Sequence, residues 1–265
     1  MEEPSDREKP SALWPDRWER IAARHSDGII ELRLHRNGGP LVWDATAHRE
    51  LTEAFLAVEL EPQVKVMILT GSGDAFCNEI DLASFARPDL DWHEVWSEGR
   101  QMLERLVNLN IPVVTAINGP ARIHAELGVL AEVVLSTPDA VFADHAHFTR
   151  GTLPGDGVHI VWPALLGPTR GRYFLLTGAE IGAEEALRIG FVHEVHERAD
   201  LIDRAWTLAR TIAQSSRQTL QYTRTALSLG FRRHFSEDMS HGLALQGQGF
   251  WARRGILHSD ENPKP

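Results

Sequence analysis

Apolar runs separated by turn residues divide the first half of the chain into short strands and longer helices. Segments 28–35, 64–70 and 111–117 are rich in aliphatic residues, and each is followed by a turn that contains glycine, which is typical of strands. Apolar residues at helical spacing predict helices over 46–60 and 92–109, between these strands. Strands that alternate with helices favour a parallel α/β core.

The second half of the chain is predicted to be mostly helical from about residue 157 onward. Two short strand candidates, 133–135 and 141–143, precede it. A chain of 265 residues fits a single α/β core with a helical appendage. We therefore divide it into a core of residues 1–200 and a C-terminal helical region of residues 201–265.

Composition narrows the classes of function. Asp plus Glu outnumber Lys plus Arg by 37 to 27, and the resulting charge of −10 disfavours a nucleic-acid partner. The single cysteine, Cys77, excludes an internal disulfide and a cysteine-rich metal site. The chain opens with an acidic, polar segment and holds no apolar run long enough to span a bilayer, so we expect a cytoplasmic protein without a membrane partner.

Two motifs that suggest cofactors or metals are weak. Gly71 and Gly73 follow a predicted strand, as in a dinucleotide-binding loop, but Phe76 stands where the third glycine belongs. His193 and His196 are three residues apart rather than four, and their segment is predicted to be a strand end rather than a zinc-binding helix.

The chain has thirteen histidines. Their positions are more informative than these two motifs, because imidazole titrates near neutral pH. His145 and His147 would point to one face of a strand, where they could share a metal ion, or one could be catalytic and the other lie at the surface. No third ligand is evident, so we predict no metal site. Asp156 precedes a helix, which it could cap, or it could orient His147 if the turn folds back.

Trp43 and His124 lie in loops that follow predicted strands. Loops at strand ends commonly carry functional residues in α/β proteins. A tryptophan at such a place more often packs than reacts, whereas a histidine can do either. On the residues alone, the role of His124 is therefore ambiguous.

Six sets of short motifs occur in a characteristic order between about Trp18 and about Phe250. They are residues 27–30, 66–71, 76–82, 111–114 with 118–119, 151–155, and 176–178 with 184–190. As an ordered set they resemble the crotonase (enoyl-CoA hydratase/isomerase) superfamily. The resemblance implies a spiral of ββα units, with a C-terminal helical region that assembles the chain into a homotrimer or a dimer of trimers.

The chain departs from the superfamily's CoA-using members at the places where their chemistry is done. Those members usually carry Ala-Gly where this chain has Asn78-Glu79, and a run of glycines where it has residues 122–126. The acid/base glutamates of the hydratases are absent. Alignment on Gly-Thr-Leu-Pro-Gly places His147 at one of their positions, and Asp156 where a small residue is usual.

The altered set resembles one branch of the superfamily, the β-diketone hydrolases related to 6-oxocamphor hydrolase. The segments that carry this resemblance are 41–43 with 46–48, 77–81, 118–120, 154–157, 161–163 and 170–178. It implies a catalytic set of Trp43, His48, His124, His147 and Asp156. Where the branch has a glutamate on the C-terminal helix this chain has Gln246, and an amide cannot act as a base.

The reaction implied is hydrolysis of a carbon–carbon bond between the two carbonyls of a cyclic 1,3-diketone. In the nearest resemblance this diketone is bicyclic. The hydrolysis is a retro-Claisen reaction without a cofactor. His147 would take a proton from water and return it to carbon, while Asp156 holds its other ring nitrogen. Trp43 and His124 would donate hydrogen bonds to carbonyl oxygens, assisted by the backbone N–H of Ile80.

Five residues at the edge of this set complete the prediction. His48 would act in the site or pack as a loop histidine. Phe85 and Trp162 would line an apolar substrate pocket or belong to the core, and we place Gln246 and Ile80 with these substrate-binding candidates.

Three other functions remain open on the sequence. The first is an enoyl-CoA hydratase or isomerase that acts on a CoA thioester. The second is a crotonase-like scaffold that binds RNA or a protein, and the third is a metal hydrolase that uses His145 and His147.

Overall fold

A six-stranded sheet lies at the centre of the protein in a computed structural model, which describes residues 14, 16–85 and 91–260, with side chains through residue 249. The strands are β1 (Ile21–Ser26), β2 (Ile29–Leu34), β3 (Leu41–Trp43), β4 (Val66–Gly71), β5 (Cys77–Ile80), β6 (Val113–Ile117), β7 (Val133–Ser136), β8 (Val141–Phe142), β9 (Ile181–Gly182) and β10 (Glu194–Val195). The sheet order is β1-β2-β4-β6-β7-β10, and within it only the β1–β2 pair is antiparallel. The predicted parallel α/β core is therefore confirmed.

Helices fill the connections and most of the second half of the chain. They are α1 (Ala45–Leu60), α2 (Trp92–Asn108), α3 (Glu126–Val129), α4 (Val158–Leu166), α5 (Pro168–Thr177), α6 (Ala183–Ile189), α7 (Arg198–Ala213), α8 (Arg217–Leu227) and α9 (Leu229–Asp260). The helices predicted over 46–60 and 92–109 are confirmed within a residue at each end. In the part of the chain that is described, no helix combines the length and the apolar character that crossing a membrane requires.

A second layer of short extended stretches lies beside the sheet. In it β3 pairs in parallel with β5, Cys77 of β5 bridges in parallel to Ala121, and Ala121 bridges in parallel to Phe142 of β8. Each unit of the chain therefore supplies one strand to the sheet, one stretch to this layer and one helix, in the order β2-β3-α1, β4-β5-α2, β6-Ala121-α3 and β7-β8-α4. The expected spiral of ββα units is confirmed.

Asn118 and Gly119 join successive turns of this spiral. The Asn118 side chain accepts a hydrogen bond from the Gly71 N–H (3.1 Å) and donates one to the Ala75 carbonyl (3.2 Å). Gly119 has φ 152°, and a Cβ there would lie 1.9 Å from the Asp74 carbonyl oxygen. Only glycine fits this contact between turns.

The two faces of the sheet carry separate apolar clusters. α7 covers one face, where its Leu201 and Trp206 pack with Ile68 and Val114 of the sheet. The indole N–H of Trp206 donates to the buried carboxylate of Glu31 at 2.6 Å, which provides a partner for a charge inside this layer.

The C-terminal helices are packed onto the spiral. The predicted boundary at residue 200 falls inside α7, which covers the sheet, while α9 packs against α2 and α4. The division into two parts, and the assembly of trimers through the second part, stay predictions.

Arg224 of α8 connects these helices to the end of α2. Its guanidinium, 1% exposed, donates to the carbonyls of Leu106 (3.0 Å), Val107 (3.2 Å) and Leu109, and to the carboxylate of Glu132 (2.9 Å). The last carbonyls of a helix have no partner within it, so Arg224 supplies the donors that the end of α2 needs.

We expect Arg224→Met to lower the free energy of unfolding by about 3–5 kcal/mol, because the change leaves the carbonyls of Leu106 and Val107 without their Arg224 donors and removes the cation paired with Glu132. Urea denaturation measures the loss. The matched change Arg233→Met removes an exposed arginine from α9 and should cost less than about 0.5 kcal/mol. Equal losses in the two variants would contradict the capping role.

Candidate active site

The second layer brings most of the predicted catalytic side chains to one place. Trp43 ends β3, His124 follows the Ala121 bridge, and His147 follows β8. The rings of Trp43 and His124 are 4.1 Å apart between centroids, and those of His124 and His147 are 5.9 Å apart. Because the stretches are parallel, their carboxyl ends share one edge, and the candidate site lies there.

His147 lies between two carboxylates. Its Nδ1 is 2.7 Å from Oδ1 of Asp144, and its Nε2 is 2.8 Å from Oδ2 of Asp156. Burial alone would lower the pKa of His147, but the charges of Asp156 and Asp144 and both hydrogen bonds raise that pKa well above its usual value. The ring therefore carries both protons and donates to both carboxylates.

Asp156 is turned back toward His147 and does not cap α4. The capping position belongs to Gly157, which has φ 113°. Burial raises the pKa of a carboxyl, but the charge of His147 and its hydrogen bond hold the Asp156 pKa far below its usual value. Asp156 is thus a carboxylate, and its Oδ1 is buried without a hydrogen-bond partner among the described residues.

His124 is held by Glu126, a second buried acid. The two side chains are 7% and 1% exposed, and Nδ1 of His124 is 2.6 Å from Oε1 of Glu126. Burial lowers the pKa of His124, but the charge of Glu126 and its hydrogen bond outweigh that effect and raise the pKa. His124 has φ 50°, a backbone conformation that few residues other than glycine adopt.

His48 lies at the edge of the same cluster, on α1. Its Nδ1 is 3.0 Å from Oε2 of Glu98 on α2, and its ring meets those of Trp43 (5.9 Å) and Phe85 (6.0 Å) edge to face. These contacts support the orientation of the Trp43 indole, and they agree with either a catalytic or a packing role for His48.

The predicted substrate-binding residues divide into two groups. Ile80 is the register partner of Trp43, and Phe85 contacts His48, so both lie at the cluster. Trp162 is fully buried against Phe174 and Phe191, which are its aromatic neighbours in the core. These contacts agree with the core alternative for Trp162, and its contact with a substrate stays a prediction.

Gln246 lies next to the turn that carries Asp156. A Cβ added to Gly155 would be 3.0 Å from Cβ of Gln246, so α9 passes directly over this turn. The amide Oε1 of Gln246 is buried and, within the described chain, has no hydrogen-bond partner. A contact of Gln246 with a substrate or water stays a prediction.

The expectation that His145 and His147 share one face of a strand is wrong. β8 ends at Phe142, and the two rings diverge beyond it. Nε2 of His145 lies 3.0 Å from the Gly178 carbonyl, at the partly exposed edge, while His147 points inward. No group of three or more His, Cys, Asp or Glu side chains within the described ranges is arranged to hold a metal ion.

Sequence reasoning missed three carboxylates that hold the histidines: Asp144, Glu126 and Glu98. Asp144 is three residues from His147, and Glu126 is two residues from His124. Both acids lie inside the motif segments, so an acid close in sequence to each histidine could have indicated these pairs. Glu98 is 50 residues from His48, and no pattern in the sequence connects them.

Comparison with known proteins gives the family. Residues 24–250 match the enoyl-CoA hydratase/isomerase family. The chain belongs to this family, the crotonase superfamily. Carnitinyl-CoA dehydratases from Shigella flexneri and Escherichia coli (strain K12) are each 32% identical to it over 204 residues, which is 75% of this chain and 76% of theirs.

Solved structures of the family include two informative neighbours. A β-diketone hydrolase from the cyanobacterium Anabaena sp. PCC 7120, bound to (S)-3-oxocyclohexyl acetic acid, is 37% identical, with a TM-score of 0.86 over 96% of this chain and 100% of that one. An enoyl-CoA hydratase/isomerase from Mycobacterium paratuberculosis is 24% identical, with a TM-score of 0.83 over 89% of this chain and 95% of that one. The second likeness concerns the fold alone.

The Glu126→Gln variant tests the buried pair. Because the folded pKa of His124 is raised above 6.5, the stabilisation from Glu126 is complete below that pH and is lost as the pH rises through the folded pKa. We expect a loss of about 1.5–3 kcal/mol at about pH 6 and a smaller loss at about pH 9.

Chemical denaturation at several pH values measures this difference. Glu53→Gln, which changes an exposed carboxylate on α1, is the control and should show little loss at any pH. A loss for Glu126→Gln that grows on the alkaline side would contradict a charged His124.

Proposed function

We propose that the chain hydrolyses a carbon–carbon bond between the two carbonyls of a cyclic 1,3-diketone and releases a keto acid, without CoA. The observation that carries the proposal is the hydrogen-bonded His147–Asp156 pair, which lies beside His124 and Trp43. The β-diketone hydrolase that is 37% identical over nearly the whole of both chains supports it.

The reaction requires an acceptor for a proton of water. The two carboxylates at His147 keep that ring protonated, which leaves it without a free lone pair. Asp156 is ionised, and its side chain is 15% exposed against 2% for Asp144. We therefore assign to Asp156 the removal of the proton from water, a task that the sequence alone had suggested for His147.

The bond changes balance as a retro-Claisen hydrolysis. Water adds through oxygen to one carbonyl carbon, and its proton passes to Asp156. Collapse of the tetrahedral oxyanion forms the carboxylic acid and breaks the bond to the carbon between the carbonyls, whose electron pair enters the second carbonyl as an enolate. The proton then returns from the Asp156–His147 pair to that carbon.

Negative charge builds up on oxygen twice in this sequence, first on the tetrahedral intermediate and then on the enolate. His124, with a raised pKa, presents a charged donor. Trp43, whose ring centroid is 4.1 Å from that of His124, presents an indole N–H. The backbone N–H of Ile80, beside Trp43, would add a third donor. Loss of one donor of this type typically slows a reaction by about 10²–10³-fold.

The substrate class is suggested by the molecule bound to the neighbouring hydrolase. The neighbouring hydrolase holds a ring ketone with an acetic acid arm. Opening one bridge of a bicyclic 1,3-dione with water yields a molecule of this kind. We therefore propose a bicyclic 1,3-dione as the substrate of this chain.

A CoA-thioester reaction is the second candidate, because the carnitinyl-CoA dehydratases are 32% identical over 75% of the chain. His124 and Glu126, which stand in place of the glycine run of CoA-using relatives, are an argument against it. We also propose that the enzyme is cytoplasmic and forms a homotrimer or a dimer of trimers. Light scattering of the purified protein tests the oligomeric state.

The assay compares hydrolysis of mono- and bicyclic 1,3-diones with turnover of crotonyl-CoA, followed by mass. We expect keto-acid formation that persists in EDTA and falls by about 10²–10⁴-fold in Asp156→Asn, because the proton acceptor is lost. His124→Gln should lose about 10²–10³-fold.

His196→Ala is the matched control, since His196 also pairs with a carboxylate, Glu194 at 2.7 Å, but lies outside the cluster. Its activity should equal that of the unmodified protein. Turnover of crotonyl-CoA alone would establish the second candidate instead.

A further inference from the structure

Asp144 is a buried acid that the proposed reaction leaves without a task. It lies two residues beyond β8, and its side chain is 2% exposed. Its Oδ1 bonds Nδ1 of His147, and its Oδ2 has no hydrogen-bond partner in the described part of the chain. An acid kept for local structure would be expected to bond backbone N–H groups, whereas the observed partner of Asp144 is a site histidine.

The two acids at His147 differ in what can reach them. Asp144 lies behind the ring and is closed off, while Asp156 lies at the opposite nitrogen and is 15% exposed. The line Asp144–His147–Asp156 therefore runs from the interior to the accessible side of the cluster. Of the two acids, Asp156 is the one whose side chain reaches the partly exposed side, and its Oδ1 has no hydrogen-bond partner among the described residues.

This geometry decides which proton of His147 can move. With Nδ1–H bound to Asp144, the remaining proton lies between Nε2 and Asp156, 2.8 Å apart. It can rest on Nε2, beside a carboxylate, or on Asp156, beside a neutral ring. Both forms keep the Nδ1–H bond, so a proton can pass between Nε2 and Asp156 without any rotation of the ring. A third group that orients a base in this way is a common device in proton-transfer sites.

We propose that Asp144 is a positioning residue, which holds the Nδ1 proton of His147 so that the Nε2 proton is exchanged with Asp156, the carboxylate that meets water and the reacting carbon. This inference rests on the proposed hydrolysis for its catalytic consequence. Its structural part is that Asp144 keeps both ring nitrogens of His147 protonated, and this part can be tested without any substrate.

Other charged groups also act on His147. The rings of His124 and His147 meet edge to face, 5.9 Å apart between centroids. The charge of His147 acts to lower the pKa of His124 and of His159 on α4. Glu126 lies behind His124. Among these groups Asp144 and Asp156 are the ones that touch the ring, and only Asp144 does so from the closed side.

The test is Asp144→Asn, which keeps the shape of the side chain and removes its charge. In protein labelled with ¹⁵N in histidine, we expect His147 to hold both protons at neutral pH and to titrate about 1 unit or more lower in the variant. The kcat for the dione should fall by about 10²-fold or more with KM nearly unchanged, because Asp144 does not touch the substrate. The alkaline limb of the kcat profile should move to lower pH by the same amount as the titration.

Glu194→Gln is the control, because it removes the acid paired with His196 outside the cluster; it should leave both the His147 titration and kcat unchanged. A His147 titration unmoved by Asp144→Asn, or a kcat within about twofold, would overturn the proposal. If the variant fails to fold, a wild-type His147 that is neutral at pH 7 overturns it without a variant. Absence of dione hydrolysis in the wild type, with the titration as expected, would refute the proposed function and leave the positioning role intact.

Discussion

A charged imidazole can be buried only where a carboxylate lies at hydrogen-bond distance, and the candidate site is arranged around this requirement. An ion removed from water without a partner costs several kcal/mol, which a buried pair recovers only with good geometry. His124 and His147 meet the condition at 2.6 and 2.7 Å through acids that are almost fully buried. Asp156 is the more exposed of the two acids at His147, and the proposed reaction uses it as the carboxylate that meets the substrate.

The spiral brings these side chains together with short connecting segments. Each ββα unit ends one short stretch at the same edge of the second layer, so residues distant in sequence, such as Trp43 and His147, become neighbours. The backbone contacts between turns, through Asn118 and Gly119, fix the spacing of these stretches. Loops held by strands on both sides can position rings more rigidly than free loops can.

Much of the fold and part of the site were predictable from the sequence. Hydrophobic periodicity located the central strands and α2, and motif order indicated which residues meet at the cluster. Periodicity failed at His145, because a two-residue strand such as β8 is too short to show where it ends, and only that end decides the direction of the ring. Glu98 was out of reach for a different reason, since its pairing with His48 depends on how α1 packs against α2.

The Arg224 cap has a consequence for how the chain can be divided. Glu98 of α2 lies at the cluster, where it contacts His48. The last carbonyls of α2 accept hydrogen bonds from Arg224 of α8, which is more than a hundred residues away in sequence. A shortened chain that stops after α7 would lack the donors that Arg224 gives to those carbonyls. The end of α2 therefore depends on α8, and recombining either part of the chain with that of a relative would have to carry Arg224 and its acceptors together.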